Sequence, residues 1–149
     1  MGMFTEFYFR ADIKNGPVAD WLERQVCGEE WFEAGFDDHE FFTLPRWSHV
    51  FIGDGAVYQE SRRAIFRRVD YGRGYSQLVL ASSLKDYDGE IEAFIAWIDP
   101  HLKMSAGALL GYSLYEDSAH IGLGWDRDRV DIYREHPRLF FAGCEAVRA

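Results

Sequence analysis

At 149 residues, with 48% hydrophobic and 17% aromatic content, the chain is long enough to bury a core of its own, and a disordered polypeptide is excluded. Sixteen basic residues against 25 acidic ones leave a formal charge of −9. That balance argues against sequence-independent binding to a nucleic-acid backbone, where lysine and arginine neutralise phosphate. It suits a basic partner, or a surface that imitates a nucleic acid, and it also serves simply to keep a domain soluble.

The opening strand is expected over Phe4 to Ala11, with Phe7, Phe9 and Ala11 facing the core and Glu6, Tyr8 and Arg10 facing away. Asn15-Gly16-Pro17 breaks it, and Pro17 suits the first position of a helix whose apolar face is Val18, Trp21, Leu22 and Val26, ending at Gly28. Residues 29 to 45 follow neither a helical nor an alternating pattern. They hold six acids and no lysine or arginine (Glu29, Glu30, Glu33, Asp37, Asp38 and Glu40), interleaved with Trp31, Phe32, Phe36, Phe41 and Phe42. The segment reads as an ordered excursion that tucks its rings under the domain and shows its carboxylates to water.

Trp47 to Ile52 reads as a strand running into the turn Gly53-Asp54-Gly55, with a short return at Ala56 to Tyr58. Ala64 to Asp70 and Tyr75 to Ser82 form a hairpin around Tyr71-Gly72-Arg73-Gly74. Between 84 and 102, Ile91, Phe94, Ile95, Ile98 and Leu102 keep one helical face. Asp88 is placed to cap that helix, Glu90 and Glu92 complement its dipole, and Pro100 ends it. A last hairpin pairs Leu109 to Glu116 with His120 to Trp125, followed by a polar, helix-like Asp126 to Glu135 and an apolar Leu139-Phe140-Phe141.

This pattern predicts one α+β domain over 1–149, with its core in about residues 3–125 and a C-terminal extension beyond. An antiparallel sheet with two helices packed on one face, ferredoxin-like or a related sandwich, satisfies the order. The uncovered face is expected to carry Tyr8, Arg10, Arg68 and Tyr75, and is where a ligand, a partner or a second copy would dock. Cys27 and Cys144 form no C-x-x-C pattern, the MGMFTEFYF start lacks the layout of a signal peptide, and no apolar run reaches membrane-spanning length. A cytoplasmic protein is the expectation.

Few constellations point to chemistry. Asp37-Asp38-His39-Glu40 is the densest group of potential metal ligands, but four adjacent residues cannot converge on one ion, and a solvated acidic loop explains them. His39, His49, His101, His120 and His136 keep no repeated spacing, and neither Ser48 nor Ser118 lies in a nucleophile elbow. Gly53-Asp54-Gly55, Gly72-Arg73-Gly74 and Gly122-Leu123-Gly124 extend to no phosphate-binding fingerprint. No cofactor or metal is expected. Arg62, Arg63, Arg67, Arg68 and Arg73 concentrate five of the sixteen basic residues around one hairpin, where Tyr71 or Tyr75 could stack a base. Pairing with the acidic excursion, or protection of a strand edge, explains them without a ligand.

Leu44-Pro45-Arg46-Trp47, the run Ser83 to Glu92 with Trp97-Ile98-Asp99-Pro100, Gly111-Tyr112-Ser113-Leu114-Tyr115-Glu116 and the Phe4-Thr5-Glu6 opening together resemble a family of small uncharacterised acidic proteins of bacteriophages and prophages. The resemblance spans about residues 3–125 and brings no activity or catalytic residue with it. It implies an accessory phage-type product, a class in which small acidic binders that block host defences are common. The leading expectation is therefore a non-enzymatic, anti-CRISPR-like inhibitor that occludes a host protein or ribonucleoprotein effector in the cytoplasm. Its partner-binding residues are Glu29, Glu30, Trp31, Glu33, Asp37, Asp38 and Glu40. The alternatives are a binder of nucleotides or signalling molecules using Arg62, Arg63, Arg67, Arg68, Arg73 and Tyr75, and a small hydrolase using His49 or His120.

Overall fold

The computed structural model describes residues 4–28, 38–52, 64–70, 74–115 and 129–134. The expected short strand at Ala56 to Tyr58, the strand at His120 to Trp125 and the apolar 139–141 segment lie outside these residues. In chain order the described elements are β1 (Thr5–Lys14), α1 (Pro17–Cys27), a 3-10 turn (Glu40–Thr43), α2 (His49–Ile52), β2 (Ala64–Asp70), β3 (Tyr75–Leu84), α3 (Glu90–Ile98), a second 3-10 turn (Asp99–His101), β4 (Leu109–Tyr115) and β5 (Arg129–Tyr133). The strands form an antiparallel five-stranded sheet in the order β2-β3-β1-β4-β5. With its helices this is an α+β domain.

β1 sits at the centre, and its alternation sets the two faces of the sheet. Phe7, Phe9, Ala11 and Ile13 are buried, while Tyr8, Arg10 and Lys14 are exposed between them. Phe94 of α3 packs edge-on against Phe7 and Phe9, with ring centroids 5.9 and 5.2 Å away. The core-side position Ser82 on β3 donates a hydrogen bond to the Val50 carbonyl of α2 at 2.9 Å, so its buried hydroxyl is satisfied. Gly111 of β4 faces Phe9, and a Cβ there would collide with the Tyr8 carbonyl and come within 2.9 Å of Phe9 Cα. A glycine is what lets β4 approach β1 so closely.

Two expectations about secondary structure are corrected. His49–Ile52 is a turn of α-helix, not strand, and it continues a run of turns in which the Trp47, His49 and Val50 amides donate to the Leu44, Arg46 and Trp47 carbonyls. Val50 and Phe51 are both buried. In a strand these neighbours would point to opposite faces; in a helix they lie about 100° apart and both reach the core. Arg129–Tyr133, expected within a helix-like tail, is instead the edge strand β5 paired with β4. Its Arg-Val-Asp-Ile-Tyr sequence does alternate, and charged side chains are normal on a sheet edge.

The start of α3 also differs. Asp88 does not cap it: Gly89 occupies the cap position in a left-handed conformation, φ 78°, with no side-chain cap bond. Asp86 instead accepts from the Ile91 amide at 2.9 Å, and Glu90 accepts from the Asp88 amide at 3.0 Å and the Arg46 amide at 3.3 Å. The fully buried Glu90 thus ties the 44–47 turns to the entry of α3. The glycine turn carries Asp88 away from the helix axis, where it pairs with Arg46 at 3.2 Å. Pro100 does end the helix, which tightens into the 3-10 turn at Asp99.

Candidate functional site

Of the acidic excursion, Glu29, Glu30, Trp31, Glu33 and Asp37 lie outside the described residues, while Asp38 and Glu40 are exposed. The described rings of the segment turn inward. Phe41 is fully buried and stacks on Trp97 at 5.7 Å with 20° between the planes. Phe42 meets Trp97 at 5.0 Å, Trp47 at 5.1 Å and Trp21 at 5.5 Å. One aromatic cluster therefore joins α1, the first 3-10 turn, α2 and α3, and Trp97 packs beneath the excursion. His39 opens the turn, its Nδ1 accepting from the Phe41 amide at 3.1 Å.

This packing leaves a groove between the 3-10 turn and α3. Its volume is about 420 Å³; carboxylates of Glu40, Asp88 and Glu92 rim it, and Leu44, Ala93 and Ala96 give it an apolar floor. From Ile91 to Ile98 only Glu92 and Ala96 of α3 are exposed, and that i, i+4 pair is the seam that faces the groove. Asp88 and Glu92 are site residues that sequence reasoning assigned to the helix start. Their clustering with Glu40 depends on contacts between segments far apart in sequence, which local periodicity does not encode. Among the described residues, no group of three histidine, cysteine, aspartate or glutamate side chains is placed to hold a metal ion.

The arginine hairpin is split by the pleat. Arg67 is exposed on one face and donates to Gln77 at 3.2 Å. Arg68 lies on the other and grips Asp20 at 2.8 Å and Glu23 at 3.0 Å on α1, while also donating to Asn15 at 3.2 Å. The hydrogen bonds it donates to Glu23 and then Asp20 raise its already high pKa, so it is a fixed positive charge tying β2 to α1. The expectation that Arg68 lies on the uncovered face is thereby corrected: its register partner is the buried Ser76, so it follows the core-side alternation. Tyr8, Arg10 and Tyr75 do take the face opposite the buried side chains of β1. Arg62, Arg63 and Arg73 lie outside the described residues.

On that face Tyr8 and Tyr112 sit directly opposite on β1 and β4, with ring centroids 4.9 Å apart. The Arg129 guanidinium lies 5.0 Å over the Tyr112 ring and pairs with Asp131 at 3.1 Å. His49 is within α2 and His101 within the second 3-10 turn, 6.3 Å from Trp97; His120 and His136 lie outside the described residues. Cys27 is exposed, and its Sγ lies 3.7 Å from the Phe66 carbonyl. No helix among the described residues is long and apolar enough to cross a membrane.

Comparison with family models, with curated proteins and with solved structures finds no match for this chain.

Proposed function

We propose that the protein is a non-enzymatic binding domain that engages a basic surface of a partner through its acidic helix side. The single observation that carries this is the groove in which Glu40, Asp88 and Glu92 surround an apolar floor. A lysine or arginine side chain fits such a place: its methylenes lie on Leu44, Ala93 and Ala96 while its charge meets Glu40 and Glu92, beside the Asp88 carboxylate that Arg46 already engages. The exposed Asp38 and the acids of 29–37 extend the negative charge along the chain. Complementary charge of this kind speeds encounter and selects partners more than it adds raw affinity.

The fold reading that accompanies this is a ferredoxin-like sandwich. The succession β1-α1-β2-β3-α3-β4, with the single-turn α2 inserted before β2, and the sheet order β2-β3-β1-β4 support it, as do the inward-facing residues of β1 against α3. β5 extends the sheet past β4. Together with the resemblance to phage and prophage proteins, the acidic side supports an anti-defence inhibitor acting in the host cytoplasm, its partner a host protein or ribonucleoprotein whose nucleic-acid groove is occupied by carboxylates.

The test is the double charge reversal E40K/E92K, both exposed positions, assayed by calorimetry against a synthetic arginine-glycine peptide. Loss of at least tenfold in affinity is expected, about 1.4 kcal/mol. Undiminished affinity in the variant overturns the reading.

A further inference from the structure

The acidic groove already has a cation at its rim, and that cation belongs to the chain itself. Arg46 Nη1 donates to Asp88 Oδ2 at 3.2 Å, and the guanidinium lies 5.1 Å over the exposed ring of Tyr87. Asp88 is one of the three carboxylates of the groove, whereas Arg46 is not among its walls. The pair therefore shows what chemistry this end of the groove accepts: a guanidinium against a carboxylate, with an aromatic face beside it.

The main chain and the side chain of Arg46 are held differently. Its amide donates to the buried Glu90 carboxylate at 3.3 Å, and its carbonyl accepts from the His49 amide at 3.0 Å, which pins the backbone. The guanidinium sits at the surface, with the Arg46 and Asp88 side chains 30% and 47% exposed. Its bond to Asp88 is longer than the roughly 2.7–2.9 Å of a strong charge-assisted contact. Ion pairs this exposed contribute little, so a second cation competes with them readily.

We propose that Arg46 is an internal competitor for the groove, which holds Asp88 until an arginine of the partner displaces it. The incoming guanidinium then meets Asp88 as well as Glu40 and Glu92, and the Arg46 guanidinium passes to water while its backbone stays in place. The inference rests on the partner-binding reading of the groove and adds its regulation.

The test is calorimetry of the arginine-glycine peptide against the parent, R46Q, D88N and R46Q/D88N at one ionic strength. R46Q should bind about two- to fivefold tighter, the range of an exposed ion pair. Most of that gain should vanish in the D88N background, where the contested carboxylate is gone. In the parent, the Arg46 Nε–H resonance should shift saturably as peptide is added. No gain in R46Q, an equal gain with D88N (a net-charge effect alone), or an unmoved Arg46 resonance while the groove amides shift overturns the proposal. Failure of the groove reading looks different: peptide binding untouched by E40K/E92K removes both, whereas binding lost in E40K/E92K without a gain in R46Q removes only the competitor.

Discussion

Replacing Asp86 with asparagine should stabilise the protein above neutral pH, although it removes a charge from the start of a helix. Asp86 is half-buried, and its pKa is raised from 3.8 to about 6. Desolvation is the main cause and the neighbouring charges of Glu90 and Glu92 add to it, while hydrogen bonds from the Ile91 and Glu90 amides partly oppose it. Because the folded-state pKa lies above the unfolded one, the folded chain binds more protons between those values. The Asp86 contribution to stability therefore falls as pH rises from about 3.8 through about 6, and the full penalty stands at pH 8. At 1.36 kcal/mol per pKa unit, that penalty is at most about 3 kcal/mol. The substituted side chain keeps an oxygen to accept from the Ile91 amide and carries no charge to desolvate. With a urea slope of about 2 kcal/mol/M, the D86N midpoint at pH 8 should rise by up to about 1.5 M. The gain should shrink towards zero by pH 4, so the readout is the difference between variant and parent across that range. A variant less stable at pH 8, or a difference that does not change with pH, refutes the reasoning.

Three further substitutions probe the packing. Phe41→Ala empties a fully buried site at the centre of the aromatic cluster and should cost about 3–5 kcal/mol by urea unfolding, with the lost stacking on Trp97 reported by its fluorescence. Gly111→Ala forces β4 away from β1 and should cost about 3 kcal/mol, whereas a cost below about 0.5 kcal/mol would mean that the strands are not in close register. Arg68→Ala breaks two partly exposed ion pairs, so a loss below about 1 kcal/mol that fades in high salt is expected.

What was legible in the sequence followed from period and punctuation. β1, α1, the β2–β3 hairpin and α3 announce themselves through Phe7/Phe9/Ala11, Val18/Trp21/Leu22/Val26, the glycines around residue 73 and Ile91/Phe94/Ile95/Ile98. The short apolar run Val50-Phe51-Ile52 carries no period that separates one helical turn from a strand, and its state is decided by the turns at 44–48 that feed it. β5 was hidden by its charges, although Val130 and Ile132 alternate with Arg129 and Asp131. At α3, a glycine one residue before the helix outweighed the capping propensity of Asp88, and Asp86 reached the free amide instead. The candidate groove was half legible. Glu40 and Asp38 stand out as acids, but the meeting of Glu40 with Asp88 and Glu92 is set by how Phe41 and Phe42 dock on Trp97.

The most direct test of the account is to map where a basic ligand lands. In an amide chemical-shift titration with the arginine-glycine peptide, the account predicts saturable shifts concentrated at Glu40, Thr43, Leu44, Gly89, Glu92 and Ala93, lost in E40K/E92K. Shifts confined to the opposite sheet face around Tyr8 and Tyr112, or equal in parent and variant, would contradict it.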